Sequence, residues 1–110
     1  MNHGLSASTV DRIQGVLVRY PAVEKALLYG SRAKGTYRPG SDIDLTLCGD
    51  GLNFSLLTRI ANDLDDLLLP YQIDLSLLAS LTHPALLDQI RRVGVVVYDR
   101  AAMTVETQLA

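Results

Sequence analysis

The chain has no tryptophan, one phenylalanine, one cysteine and two histidines among its 110 residues, and each scarcity excludes something. The lone Cys48 has no partner for an internal disulfide, and its place at the end of an apolar strand segment reads as a reduced, packed thiol. His3 and His83 have no zinc-ligand spacing. His83, beside Pro84 at a helix start, reads as a capping or exposed residue, and His3 as part of a disordered end. Ten basic residues against twelve acidic ones leave a formal charge of -2. A stable nucleic-acid coat protein needs a broad cationic surface, so that class is disfavoured. No apolar run approaches the roughly 20 residues that cross a bilayer. Met1-Asn2-His3-Gly4 lacks the basic and apolar succession of a signal peptide, and the expectation is a cytoplasmic protein without a membrane partner.

What the sequence does contain is apolar: 48% of residues are hydrophobic. That is enough for a packed core and too much for a disordered chain. The length fits one domain, residues 1–110, with 99–110 read as a frayed tail or a partner-docking segment. Helical and strand signals alternate throughout, which indicates an α/β class. Val10, Ile13, Leu17 and Tyr20 recur at helical spacing, with Ser8 and Asp11 as the expected capping pair. Val23 to Tyr29 reads as a first strand, Arg32 to Gly35 as a helical turn, and Ser41 to Cys48 as a second strand. Leu56, Leu57, Ile60, Leu64, Leu67 and Leu68 form the stripe of a long helix, with Asp63, Asp65 and Asp66 on a solvated face. Tyr71 to Leu78 alternates as a third strand. Thr82-His83-Pro84 opens a last helix closed by Gly94, and Val95 to Tyr98 is a final short strand.

The chemistry concentrates in Gly30-Ser31-Arg32-Ala33-Lys34-Gly35 and Ser41-Asp42-Ile43-Asp44-Leu45, with ten residues between Ser31 and Asp42. Residues two apart on a strand share a face, so Asp42 and Asp44 are expected to project together while Ile43 and Leu45 enter the core. Asp74 occupies the same kind of position on the third strand. Aspartate is a poor strand former, and finding it between apolar neighbours on two strands indicates a site imposed against propensity. Such carboxylates suit Mg²⁺, which keeps waters and takes substrate phosphates as further ligands. Gly30 permits close approach of a phosphate, and Ser31 offers a hydroxyl and an N–H at a helix start. Arg32, Lys34 and Arg38 are candidate contacts to a triphosphate, against the plainer reading of solvated surface cations. Tyr29 and Tyr37 could stack on a base, although core packing and loop exposure are their default readings.

Gly30-Ser31, the ten-residue interval, Asp42-x-Asp44 and the later Asp74 together resemble the DNA polymerase beta nucleotidyltransferase superfamily, and more narrowly its minimal nucleotidyltransferases. The resemblance implies a small mixed β-sheet with helices packed on it. It also implies a two-metal site in which Asp42, Asp44 and Asp74 hold two Mg²⁺ about 3.5–4 Å apart, with ATP as substrate. Asp74 is the candidate acceptor of the attacking hydroxyl's proton, and Gly30, Ser31, Arg32 and Lys34 are the candidate nucleotide-binding residues. Minimal nucleotidyltransferases are typically encoded beside a helical HEPN-class toxin, so the resemblance implies an antitoxin that transfers AMP to a tyrosine hydroxyl of that partner. Two alternatives stand beside it: a small-molecule, aminoglycoside-like nucleotidyltransferase working as a homodimer, and a non-catalytic domain that neutralises its partner by binding alone.

Overall fold

The computed structural model describes residues 3–102, as α1 (Ala7–Leu17), β1 (Lys25–Tyr29), α2 (Gly30–Lys34), β2 (Ile43–Cys48), α3 (Phe54–Asp65), β3 (Ile73–Leu77), a 3₁₀ turn at Leu78–Ser80, α4 (Pro84–Val93) and β4 (Val95–Asp99). The four strands form one mixed sheet in the order β3-β2-β1-β4. β1 runs antiparallel to both β2 and β4, whereas β2 and β3 are parallel. Parallel neighbours need a crossover connection, and α3 provides it.

The register sorts the side chains onto two faces. Ala26 pairs with Leu47, Leu28 with Leu45, and Leu45 in turn with Leu75. These residues, with Ile43, Leu77 and Tyr98, join Ile13, Val16 and Leu17 of α1 and Ile60 and Leu64 of α3 in the main core. The opposite face carries Leu27, Tyr29, Asp44, Thr46, Asp74 and Ser76, because successive strand residues alternate. On its β1 side α2 and α4 cover it, and the two helices also touch each other. Over β2 and β3 it bears the acidic residues.

Several boundaries depart from expectation, each for a local reason. Ser6, not the Ser8–Asp11 pair, caps α1: its hydroxyl accepts the Thr9 amide proton, which starts the helix two residues earlier. Arg100 then seals that helix's end, donating to the carbonyls of Val18, Tyr20 and Val23, so a residue expected in a frayed tail is a tether. α3 stops at Asp65. Leu68, placed by periodicity on its apolar stripe, is instead exposed with φ of 54°, because the chain leaves the helix in a left-handed turn before Pro70. Asp63 is not on a purely solvated face either: the Tyr20 hydroxyl donates to it and Arg19 pairs with it at 3.4 Å. His83 caps α4, its Nδ1 accepting from the Leu86 amide, with Pro84 at the first helical position as its missing donor permits. The end of the expected tail, 103–110, lies outside the described residues.

Candidate active site

Strand pairing assembles the acidic cluster. Asp44 lies opposite Tyr29, the last residue of β1, and beside Asp74 in the parallel register of β2 and β3. Cα atoms paired this way sit about 4.8 Å apart, so two carboxylates on one face are immediate neighbours. Asp42 does not lie on the strand with Asp44 as expected; β2 begins at Ile43, and Asp42 ends the loop that feeds it. The Ile43 amide nevertheless donates to the Gln72 carbonyl, fixing Asp42 at the strand's threshold.

Asp44 is half-buried, whereas Asp42 and Asp74 are exposed. Burial pushes the Asp44 carboxyl up from its ordinary value, and the charges of Asp74 and Asp42 push it further. Among the described residues, none of the three forms an ion pair. Nor does any group of three or more His, Cys, Asp and Glu side chains there close tightly enough to hold a metal ion. The donor set is the hard-oxygen one Mg²⁺ uses, and Mg²⁺ completes its shell with waters and substrate phosphates instead of a full protein cage.

The turn that opens α2 meets this cluster directly. Gly30 has φ of 74°, and a Cβ placed on it would stand 2.2 Å from Asp44 Oδ2. Only glycine fits there, for conformation and for space. Ser31 follows inside α2, its carbonyl accepting from Gly35 and Thr36 at the helix end. Gly30 and Ser31 are thus part of the helix, which the sequence pattern starts at Arg32. The loop back to β2 turns at Arg38-Pro39-Gly40-Ser41. Gly40 has φ of 83°, the Ser41 amide donates to the Arg38 carbonyl, and the Arg38 amide donates to Ser41 Oγ. Proline followed by a positive-φ glycine is a type II turn pattern, and it returns the chain to Asp42.

The basic residues separate. Lys34 and Arg38 are exposed. Arg32 is only 2% exposed, and it departs from the expected phosphate-facing cation because its guanidinium is already engaged inside the protein. Its Nε and Nη2 donate to the Ser41 carbonyl at 3.2 and 2.9 Å, and Nη1 donates to the His3 carbonyl at 3.0 Å. Tyr37 and Tyr71 lie against it, ring centroids 5.2 and 4.7 Å from Cζ. His3 is accordingly ordered, its Nδ1 accepting from the Leu5 amide. Tyr71 was invisible as a site neighbour in the sequence; the only signal was an aromatic residue just ahead of the strand that carries Asp74.

A cleft of about 620 Å³ opens between α4 and the sheet, lined in part by Leu27, Leu87, Ile90 and Val96. It shares the face of Asp44, since Leu27 pairs with Thr46 and Tyr29 with Asp44. Cys48 lies at the far end of β2, and burial raises its thiol pKa, as suits an unreactive packed residue.

The family model for polymerase beta nucleotidyltransferases matches residues 11–102. No curated protein matches by sequence. Among solved structures, a toxin–antitoxin with AMP-PNP superposes with a TM-score of 0.67 at 23% identity, over 91% of this chain and 86% of that one. A toxin–antitoxin MntA-HepT structure matches with a TM-score of 0.65 at 20% identity, over 88% and 75%. A tri-AMPylated Shewanella oneidensis HEPN toxin in complex with its MNT antitoxin gives 0.64 at 20%, over 88% and 75%. At these identities the likeness speaks for the fold, and the family match runs from within α1 through β4. The chain belongs to the polymerase beta nucleotidyltransferase family, and it is a nucleotidyltransferase by that membership.

Proposed function

We propose that this chain transfers AMP from ATP to a hydroxyl, most simply a tyrosine, of a helical HEPN-type toxin, and so acts as its antitoxin. The observation that carries the reading is the meeting of Gly30 with Asp44, where a turn stripped of side chain abuts a half-buried carboxylate flanked by two more. A triphosphate could lie along the backbone there with its charge opposite a metal-binding cluster. Asp42, Asp44 and Asp74 would hold Mg²⁺. When bound, the ions supply charge neutralisation for the triphosphate and the leaving pyrophosphate.

The chain's own residues then have distinct tasks. Gly30 and Ser31 hold the phosphates against the sheet, and the exposed Lys34 and Arg38 are free to follow the outer phosphates. Asp74, exposed beside Asp44, takes the proton from the acceptor hydroxyl as its oxygen bonds to the α-phosphorus and the bond to the β-phosphate oxygen breaks. Alignment and electrostatics carry such a reaction, since phosphoryl chemistry asks for little covalent participation by the protein. Support for a protein acceptor comes from the similar folds, which include one complex whose HEPN toxin is AMPylated.

The test is co-expression with the neighbouring reading frame, purification of whatever helical protein associates, and intact mass measurement after incubation with ATP and Mg²⁺. The partner should gain AMP on a tyrosine, and none with the Asp42→Ala, Asp44→Ala double variant. A partner neutralised equally by that variant, with no mass gain in either case, would leave binding alone as the function.

A further inference from the structure

We infer that Arg32 is a positioning residue that holds the loop entering Asp42, the phosphate turn and the segment leading to Asp74 in mutual register, and is not itself a phosphate ligand. The inference rests on the metal-dependent transfer proposed above. Three separate stretches meet at this one guanidinium. Arg32 is rooted in α2, the helix that begins at Gly30 and Ser31. Two of its nitrogens hold the carbonyl of Ser41, the residue directly before Asp42. Its Cζ lies over the ring of Tyr71, three residues before Asp74, and over the ring of Tyr37 in the returning loop.

Burying a guanidinium is costly unless its donors and charge are compensated. Among the described residues Arg32 has no carboxylate partner. Compensation comes instead from two backbone carbonyls and two aromatic faces, an arrangement that needs a planar, forked cation. The N-terminal segment closes the remaining side. A Cβ on Gly4 would stand 2.4 Å from the Tyr37 ring and 2.8 Å from Arg32 Nη1, so the chain crosses the guanidinium there at close range. Arg32 thus reaches the cluster through the backbone that carries it, by its hold on the Ser41 carbonyl directly before Asp42.

Arg32→Lys keeps the charge and loses the fork. Groups that orient metal ligands typically cost about 10–100-fold in metal affinity when changed. We expect Mn²⁺ alone, titrated calorimetrically into the nucleotide-free variant, to bind about tenfold more weakly than to the unaltered chain. Amide exchange should quicken across 36–43 and 71–74 while α3 keeps its protection, and kcat should fall with KM for ATP little changed at saturating Mg²⁺. A raised KM for ATP with Mn²⁺ binding and exchange unaltered would make Arg32 a phosphate ligand and overturn the inference. A lowered Tm with all three readouts intact would overturn it equally, leaving a merely structural residue. If Arg32→Lys fails to fold, Tyr71→Leu removes one aromatic face and leaves the hydrogen bonds; it should shift Mn²⁺ binding and exchange the same way by less, and no shift in either counts against the inference. If the unaltered chain transfers no nucleotide while Arg32→Lys still loosens both segments and weakens Mn²⁺ binding, the proposed function fails and the positioning role stands.

Discussion

Gly30 and Asp44 constrain each other. A methyl group at position 30 would have to displace the Asp44 carboxylate and also accept a left-handed backbone. Gly30→Ala should therefore cost about 100-fold in transfer, the usual penalty for misplacing a reacting group by an ångström, while the protein stays folded; kcat beside Tm measures both. Asp44 gives a prediction of opposite sign for stability. Its raised folded-state pKa means the folded protein holds that proton more tightly than the unfolded chain does. The site's stabilising contribution is then complete below the unfolded carboxyl's pKa and is lost as pH climbs through the folded value, above which the group is ionised beside two like charges. Asp44→Asn should abolish transfer yet raise the Tm of the metal-free protein by up to a few degrees at pH above the folded value, and lose that advantage as the pH is lowered through it. Much of this was legible in the sequence, because an aspartate between isoleucine and leucine violates strand propensity. The task of Arg32 was not. Nothing in Gly-Ser-Arg distinguishes a guanidinium that faces a ligand from one that folds back onto two tyrosines contributed by later segments.

Among the elements, the strands followed the period-2 pattern closely, and the helix ends did not. Apolar alternation reports which face a strand buries; a helix stops where capping groups satisfy its terminal amides and carbonyls, and those depend on one or two side chains. Ser6 is such a cap, and Ser6→Ala should cost about 1 kcal/mol in denaturant unfolding. Leu68 is the reverse case. An exposed leucine at φ of 54° follows α3, so Leu68→Gly should stabilise the protein by about 1 kcal/mol, by removing the left-handed penalty of a residue with a Cβ. Ile60 of α3 is fully buried on the face away from the acidic cluster. Ile60→Ala should cost about 2–5 kcal/mol while the molecules that remain folded keep their kcat, since the damage lies across the sheet from the chemistry.

At the scale of the whole molecule, the sheet divides labour between its faces. One is sealed by α1 and α3 and supplies stability; the other is covered by α2 and α4 on the β1 side and presents Asp44 and Asp74 over β2 and β3. The mixed order β3-β2-β1-β4 makes this possible, because it sets the one parallel pair so that both aspartates fall in register. The identity of the acceptor is not written in the chain's own residues. The reaction is. The most direct measurement compares ATP labelled at the α-phosphate with ATP labelled at the γ-phosphate, each incubated with Mg²⁺ and the associated partner protein. The α-label should appear on the partner and the γ-label in released pyrophosphate, with neither outcome in the Asp42→Ala, Asp44→Ala protein. Transfer of the γ-label to protein would contradict a nucleotidyl-transfer site built on Gly30, Asp42, Asp44 and Asp74.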